Sequence, residues 1–130
     1  MVEQHPSFPT LQGHGYAALT TFRRDGRPVT TPVWFADDGK RLLFVTRAGA
    51  GKLKRITHTP RVLVAPCTVS GKLLGPAVAG EAALLSGEDA RLAERALLRK
   101  YRLLGWLFLR LGWFGRRRAA VFFAVRPLAE

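Results

Sequence analysis

The sequence predicts a mainly β fold, a small antiparallel barrel or sandwich, from three observations. The chain has 130 residues, a length typical of one domain, so we expect a single domain over residues 1–130. Hydrophobic residues make up 48% of it, which is enough for a packed core and excludes a wholly disordered chain. Short apolar runs rich in β-forming residues follow one another, separated by turn signals and one short helical segment.

The first three strands are predicted from two tight turns. Tyr16 to Phe22 precedes an Asp-Gly pair, which favours a hairpin, and Pro28 to Phe35 is the returning strand. Because proline removes one donor from the ladder, Pro32 predicts an edge, a bulge or a ligand at that point. A second turn at 37–39 leads into the third strand, Arg41 to Thr46.

The rest of the chain alternates helical and strand patterns. After the strand that precedes the long helix, the residues Ser86 to Asp89 form a capping-box pattern, which marks the start of a helix. A proline after the short helix marks its end, because the residue before proline avoids helical geometry. The predicted elements are, in order, a helix from Lys52 to His58, strands from Arg61 to Thr68 and from Ala77 to Leu85, a helix from Glu88 to about Tyr101, and a strand from Ala119 to Val125.

Positive charge dominates the middle of the chain. The formal net charge is +12, and between residues 39 and 80 there are eight basic residues and no carboxylate. This charge predicts an anionic partner: a phosphate, a polyanionic cofactor, nucleic acid or an anionic membrane surface. Nucleic acid is disfavoured because no nucleic-acid-binding motif is recognisable. The eight basic residues are Lys40, Arg41, Arg47, Lys52, Lys54, Arg55, Arg61 and Lys72.

Several other classes of site are excluded by composition. A single cysteine, Cys67, rules out an internal disulfide, and three scattered histidines give no metal-ligand spacing, so we expect no metal. The longest apolar stretch, Leu103 to Gly115, is too short to span a bilayer. The first residues lack the pattern of a secretory signal, which predicts a cytoplasmic location.

An ordered set of short motifs spans nearly the whole chain. Together the motifs resemble the pyridoxamine-phosphate-oxidase-like split β-barrel superfamily, and within it the flavin or deazaflavin oxidoreductases that use coenzyme F-420. The resemblance implies a six- to seven-stranded antiparallel split β-barrel with two or three helices, and hydride transfer to or from a small unsaturated or quinone-like substrate. The motifs lie at residues 25–28, 31–35, 43–46, 51–56, 60–62, 65–67 and 71.

The candidate cofactor site follows from the needs of a flavin-type molecule: a smooth surface for a flat ring and cations for a phosphate. The second strand offers Thr31, Pro32, Val33 and Trp34 to the ring, and Thr46 offers a hydroxyl to the polyol or phosphate. Lys52, Lys54 and Arg55 lie at a helix start, where free amides add to their charge. The resemblance assigns phosphate binding to the Lys52 position. No catalytic residue is predicted, because the cofactor carries the chemistry.

The choice of cofactor rests on one departure from the family pattern. Oxidases that bind flavin mononucleotide (FMN) tightly have an arginine where this chain has Thr30 and Thr31. We therefore expect coenzyme F-420, with FMN as the alternative. The oligoglutamate tail of F-420 would suit the basic residues from Arg47 to Arg61 or the arginine face from Arg91 to Arg102. That face is more often a solvated surface, and contact with the tail or with anionic lipid is the less favoured reading.

Two further expectations concern partners. A homodimer with the cofactor at the subunit boundary is implied by the resemblance and by the apolar run from Leu104 to Trp113, which suits core or dimer packing. That run also resembles an interfacial anchor, so peripheral membrane contact is a less favoured reading. The alternative function is a split-barrel protein that binds FMN, haem or a tetrapyrrole without F-420 activity.

Overall fold

Among the residues that the structure describes, seven antiparallel strands form a single sheet, accompanied by two α-helices and a short 3-10 turn. The computed structural model describes residues 7–111 and 120–128, and side chains over 7–101 and 120–128. This architecture confirms the predicted mainly β fold. The elements are the 3-10 turn Pro9–Leu11, β1 Tyr16–Phe22, β2 Pro28–Val33, β3 Phe35–Asp37, β4 Leu42–Arg47, α1 Gly51–His58, β5 Arg61–Cys67, β6 Val78–Leu84, α2 Gly87–Leu111 and β7 Ala120–Pro127.

The strand order explains why the sheet curls into a barrel. The order is β2-β1-β5-β6-β7-β4-β3, so β2 and β3 are the two ends of the sheet. Only Trp34 separates these two strands in the chain. Because consecutive Cα atoms are about 3.8 Å apart, the two ends of the sheet must meet at this residue. Pro32 therefore lies in an edge strand, as its missing donor predicts.

Side chains alternate between an inner face and an outer face of the sheet. Leu42 and Phe44 of β4 face the inner core, where Phe44 stacks on Phe123 of β7 with ring centroids 5.0 Å apart. Leu43, between them, faces outward into a second apolar cluster, where Leu97 of α2 packs. The long helix thus covers the outer face of β3, β4 and β7, while the inner face forms the barrel core.

The segment before β1 contributes to the same core. Phe8 and Leu11 are fully buried with the inner side chains of the sheet. Asp37 at the end of β3 holds this segment, because its carboxylate accepts hydrogen bonds from the amide (2.8 Å) and the hydroxyl (2.9 Å) of Ser7. The N-terminal segment is therefore an integral part of the barrel.

The structure differs from the predicted elements at three places. The predicted strand from Pro28 to Phe35 is broken at Trp34, because the chain passes there from one end of the sheet to the other. The second helix continues to Leu111. No hydrogen bond from the Asp89 amide to the Ser86 hydroxyl is present among the described residues; the Asp89 carboxylate instead accepts from Arg41 at 3.5 Å. No helix among the described residues is long and apolar enough to cross a bilayer.

Candidate functional site

Helix α1 is held against the barrel by its apolar side. Ile56 is buried in the inner core and Leu53 packs against it. Gly49, with a φ of +86°, turns the chain from β4 into the helix through a conformation that residues with a side chain rarely adopt. This anchoring orients the remaining side chains of the helix, three of them basic, toward the barrel rim and solvent.

Lys52 lies half-buried among other cations. Burial lowers the pKa of its ammonium below the ordinary 10.5, and the neighbouring charges of Arg55 and Arg47 lower it further. No described carboxylate forms a salt bridge with Lys52. A partly desolvated cation surrounded by cations is unfavourable unless an anion binds beside it. The surroundings of Lys52 therefore suit a phosphate group.

Arg55 is fixed in place by a buried hydroxyl. Its Nε donates a hydrogen bond of 2.6 Å to Thr21 Oγ1, and Thr21, at the end of β1, is only 1% exposed. The guanidinium lies over Gly51, since a Cβ built there would come within 3.0 Å of Arg55 Nη1. Burial and the charge of Arg23 both lower the pKa of Arg55. Arg55 lies in the last turn of α1 and not at its start as predicted, so its value as a donor group for an oxyanion rests on its fixed orientation and charge.

The predicted strand residues divide between the two faces of the sheet. Thr31 and Val33 pair with Leu19 and Ala17 of β1 and share their inner face, whereas Pro32 is exposed on the outer face. Thr46, at the end of β4, is buried, and the alternation along the strand places it on the inner face. Thr46 is also the predicted strand residue nearest in the chain to Lys52.

Trp34 takes part in a different cluster, against helix α2. Its ring stacks on Tyr101 with centroids 4.4 Å apart and planes inclined by 12°. The Tyr101 hydroxyl accepts from the Phe35 amide (2.9 Å) and lies 2.7 Å from the carbonyl oxygen of Gly15, to which it donates. Lys100 Nζ donates a hydrogen bond to the carbonyl oxygen of Phe35 (2.8 Å) and lies 3.4 Å from the centroid of the Phe35 ring.

Trp34 and Arg55 therefore lie near opposite ends of β1. Val33, next to Trp34, pairs with Ala17, while Arg55 contacts Thr21. Four residues of strand span about 13 Å. Within one chain, the structure brings Lys52, Lys54 and Arg55 together and leaves Trp34 near the other end of β1. Thr46 lies two residues beyond Phe44, which pairs with Phe35, so it lies toward the start of β3 and not beside Arg55.

A cleft of about 320 Å³ opens between α1 and the β1–β2 hairpin. The sequence predicts only a turn at this hairpin and does not indicate that its arginines lie beside α1. The signal that could have indicated them is the run of cations around the Asp-Gly pair. The cleft is lined by Phe22, Arg23, Arg24, Gly51, Lys54, Arg55 and His58.

The other candidate residues have ordinary surroundings. Cys67 is buried, and burial raises the pKa of its thiol, as expected of a small packing residue. Arg91 and Arg95 on α2 are exposed, within 3.8 Å and 3.7 Å of Glu88. Within the described part of the chain no three His, Cys, Asp or Glu side chains form a metal-binding group. Arg102 and the packing of the run from Leu104 to Trp113 lie outside the described side chains.

The family is decided by a sequence comparison with protein-family profiles. Residues 3–122 match the profile of pyridoxamine 5'-phosphate oxidase, which covers most of the chain. The chain belongs to the pyridoxamine 5'-phosphate oxidase family. This confirms the resemblance drawn from the motifs, and the seven-stranded sheet agrees with the split barrel expected of that family. Comparison with curated protein sequences gives no significant match.

Solved structures with the same fold carry names that refer to different cofactors. An F-420 reductase is 21% identical, with a TM-score of 0.58, and the match covers 98% of this chain and 97% of that one. An FAD-binding protein from Mesorhizobium loti is 19% identical (TM-score 0.66; 92% and 84% covered). HutZ, a haem storage protein from Vibrio cholerae, is 12% identical (TM-score 0.68; 93% and 87% covered). At these identities the likeness establishes the fold alone.

Proposed function

We propose that this member of the pyridoxamine 5'-phosphate oxidase family is an oxidoreductase that binds coenzyme F-420 and reduces or oxidises a small unsaturated or quinone-like molecule. The observation that carries the proposal is the cationic end of the barrel. Lys52 is half-buried beside Arg55 and Arg47 without a described carboxylate partner, and Arg55 is oriented by the buried Thr21 hydroxyl. These residues fit the phosphate of a flavin-type cofactor.

The chain's own residues would bind and orient the cofactor. Lys52 and Arg55 would hold the phosphate, with Lys54 beside them, and the buried Thr46 hydroxyl would reach the polyol. On β2, the half-buried Thr31 and the exposed Pro32 would offer a surface to the ring, whereas Val33 is buried in the barrel core and would support them from behind. The deazaflavin, when bound, supplies hydride-transfer chemistry. No acid or base in the chain is required for that step, so the protein's task is orientation, charge and exclusion of water.

We further propose that the site is completed by a second copy of the chain. Pro32 and Trp34, predicted to face the ring, lie respectively on the outer face and at the far end of β1 from Arg55. One chain therefore does not gather all the predicted ring and phosphate contacts at one point. In a homodimer, the β2 residues of one subunit and the α1 cations of the other would form a common site at the boundary.

The preference for F-420 over FMN is supported by the start of β2. Thr30 is exposed and its hydroxyl lies 2.7 Å from that of Thr20 on the outer face, and Thr31 points into the barrel. Neither supplies the charge that a phosphate-binding arginine would provide at this place. The FMN phosphate would thus depend on α1 alone, whereas F-420 adds a polycarboxylate tail that the basic surface attracts.

The test is a titration of the purified protein with F-420 and with FMN, followed by cofactor fluorescence. We expect saturable binding of F-420 and weaker binding of FMN. If FMN co-purifies stoichiometrically and F-420 cannot displace it, the proposal of F-420 binding is wrong. The protein is then a flavin-binding split barrel. An intense haem or tetrapyrrole absorption band in the purified protein would instead support the non-enzymatic alternative, a function named for one structural relative.

A further inference from the structure

The cleft between the β1–β2 hairpin and α1 concentrates positive charge. Arg23 and Arg24 come from the hairpin, while Lys54, Arg55 and His58 come from the helix. None of the side chains that line it is a carboxylate. The nearest acid in sequence, Asp25, is already paired with Arg27 at 2.8 Å. The volume of about 320 Å³ is large enough for a group the size of a phosphate or sulfate.

Within the cleft, Arg24 and His58 make a contact that depends on the protonation of the imidazole. Arg24 Nη2 lies 2.8 Å from His58 Nε2. A guanidinium only donates hydrogen bonds, so His58 Nε2 must accept and the imidazole is neutral in this arrangement. Protonation of His58 would add a hydrogen to Nε2, break this bond and leave two donors facing the same space.

We propose that this cleft is a binding site for a tetrahedral dianion of the phosphate or sulfate type, in which His58 serves as the proton-dependent ligand. In the absence of an anion, His58 accepts from Arg24. When an anion enters, protonated His58 and the released Arg24 both donate to its oxygens, so that binding of the anion is coupled to uptake of a proton. Affinity for the dianion therefore rises as the pH falls, because histidine gains its charge in the physiological range.

Every charged group that faces His58 acts in the same direction. Arg23 and Arg24 face it from the hairpin, and Lys54 and Arg55 face it from its own helix. Because the charged side chains that line the cleft are all cations, an anion that enters it meets no opposing carboxylate among the described residues. A negative neighbour would stabilise the imidazolium without any ligand and uncouple the two events; the lining contains none.

The anion site rests on the proposed function, because Lys54 and Arg55 belong both to it and to the proposed cofactor site. The two sites differ in their other ligand contacts. Lys52, on which cofactor binding rests, does not line the cleft. A long polyanion such as a cofactor with a charged tail could occupy both places, and a free phosphate could occupy the cleft alone. These two sources share the same chemistry and differ in whether Lys52 contributes to affinity.

The experiment uses sulfate, which stays a dianion across the whole range, so that any pH dependence reports the protein. Sulfate binding to the cofactor-free chain is measured by calorimetry at pH 8 and pH 5.5 and by the imidazole proton resonances. We expect affinity to rise about tenfold on acidification, the scale of one charge-assisted hydrogen bond. Sulfate should shift the resonance of His58 and leave that of His14 unmoved.

Matched variants separate this site from diffuse attraction and from the cofactor site. His58→Gln should bind sulfate with little pH dependence, while His14→Gln should retain the full dependence. Lys52→Ala should leave sulfate binding in the cleft unchanged although it weakens F-420 binding. An unchanged pH dependence in His58→Gln would overturn the proposal, as would an equal loss from Arg24→Gln and from the distant Lys72→Gln. If the wild-type protein binds sulfate as expected but does not bind F-420, only the proposed function is contradicted.

Discussion

The charge of Lys52 has no evident role in stabilising the fold. Its ammonium is half-buried and its pKa is lowered by burial and by two arginines, so the folded chain gains little stability from it. We expect Lys52→Ala to weaken cofactor binding by about 1.5–3 kcal/mol, the range for a hydrogen bond to a charged group. The melting temperature should stay unchanged or rise. Fluorescence titration and thermal unfolding measure the two effects.

Lys72→Ala is the matched control for this prediction. Lys72 carries the same charge but is exposed in the turn after β5, where its amide donates to Thr68 Oγ1. Its removal should leave cofactor affinity within about twofold of the wild type. Equal losses from the two substitutions would mean that affinity comes from net charge rather than from a site.

At the residue scale, the cations of α1 could be predicted and their supports could not. Lys52, Lys54 and Arg55 stand together in the sequence, and a helix start is a local pattern. The Thr21 hydroxyl that fixes Arg55 belongs to a strand 34 positions away, and the Arg24 partner of His58 lies in the hairpin turn after that strand, also 34 positions away. Such contacts depend on tertiary packing, which no local pattern encodes.

Among the elements, helix α2 controls through Tyr101 how β3 begins. Tyr101 stacks on Trp34 and its hydroxyl bonds the backbone at Phe35 and Gly15. Tyr101→Phe would leave a part-buried amide and carbonyl without this partner, so we expect a loss of about 1–3 kcal/mol in the free energy of unfolding. Chemical denaturation measures it. Tyr16→Phe serves as the control; a loss as large there would contradict a specific role for Tyr101.

The same cluster predicts a pH dependence of stability. Burial lowers the pKa of Lys100 to about 8 from 10.5, although Asp37 opposes the shift. Between these two values the unfolded chain holds more protons, so Lys100 makes the free energy of unfolding rise with pH. Tyr101 acts oppositely above pH 10, because burial raises the pKa of its phenol and the folded state retains the proton longer.

Denaturant unfolding of the wild type and of Lys100→Met at pH 7.5, 9 and 10 tests this. The stability of the wild type relative to the variant should increase over that interval. A constant difference between the two proteins would show that the ammonium of Lys100 is as well solvated as in the unfolded chain.

Strand β6 passes close to its neighbours at Gly80. A Cβ at this position would lie 2.5 Å from Val125 Cγ1, 2.8 Å from the carbonyl oxygen of Arg126 and 3.2 Å from Phe8 Cζ. We expect Gly80→Ala to destabilise the barrel by about 1–3 kcal/mol through overpacking. Gly15→Ala is the control, because a Cβ there meets nothing within 4 Å. Thermal unfolding of both variants distinguishes a specific clash from a general effect of removing glycine.

Element boundaries were predictable where local chemistry sets them. β1 spans Tyr16–Phe22 as predicted, because a tight turn defines its end. The break at Trp34 was not predictable, since nothing in the local pattern says that adjacent strands belong to opposite ends of a sheet. The residues from 28 to 35 keep a high β propensity through the break. The strand is interrupted only because the barrel closes there.

The whole molecule is expected to be a homodimer. The proposed site needs β2 from one copy and α1 from another, because Trp34 and Arg55 lie near opposite ends of β1. Light scattering at micromolar concentration should give twice the 14.4 kDa mass of the chain. A clean monomer that still binds cofactor with full affinity would contradict the shared site.

The net charge of +12 predicts how cofactor choice responds to salt. The tail of F-420 is attracted by exposed cations, and such attraction is screened over about 8 Å at physiological ionic strength. The preference for F-420 over its tail-less precursor should therefore shrink as salt rises. Binding of both compounds at two salt concentrations tests this; a preference that does not change with salt would exclude the basic surface as the source.

The position of β7 has a consequence for how the chain folds. This strand lies between β6 and β4, and it pairs Val125 with Leu42, which is distant in the sequence. Until β7 pairs, the sheet consists of two pieces, β2-β1-β5-β6 and β4-β3, connected through Trp34 and α1. The conformational entropy of closing this long loop is lost before the stabilising contacts of β7 form, and this order of events slows folding. Detachment of β7 would uncover two strand edges at once, so its docking protects this barrel from edge-to-edge aggregation.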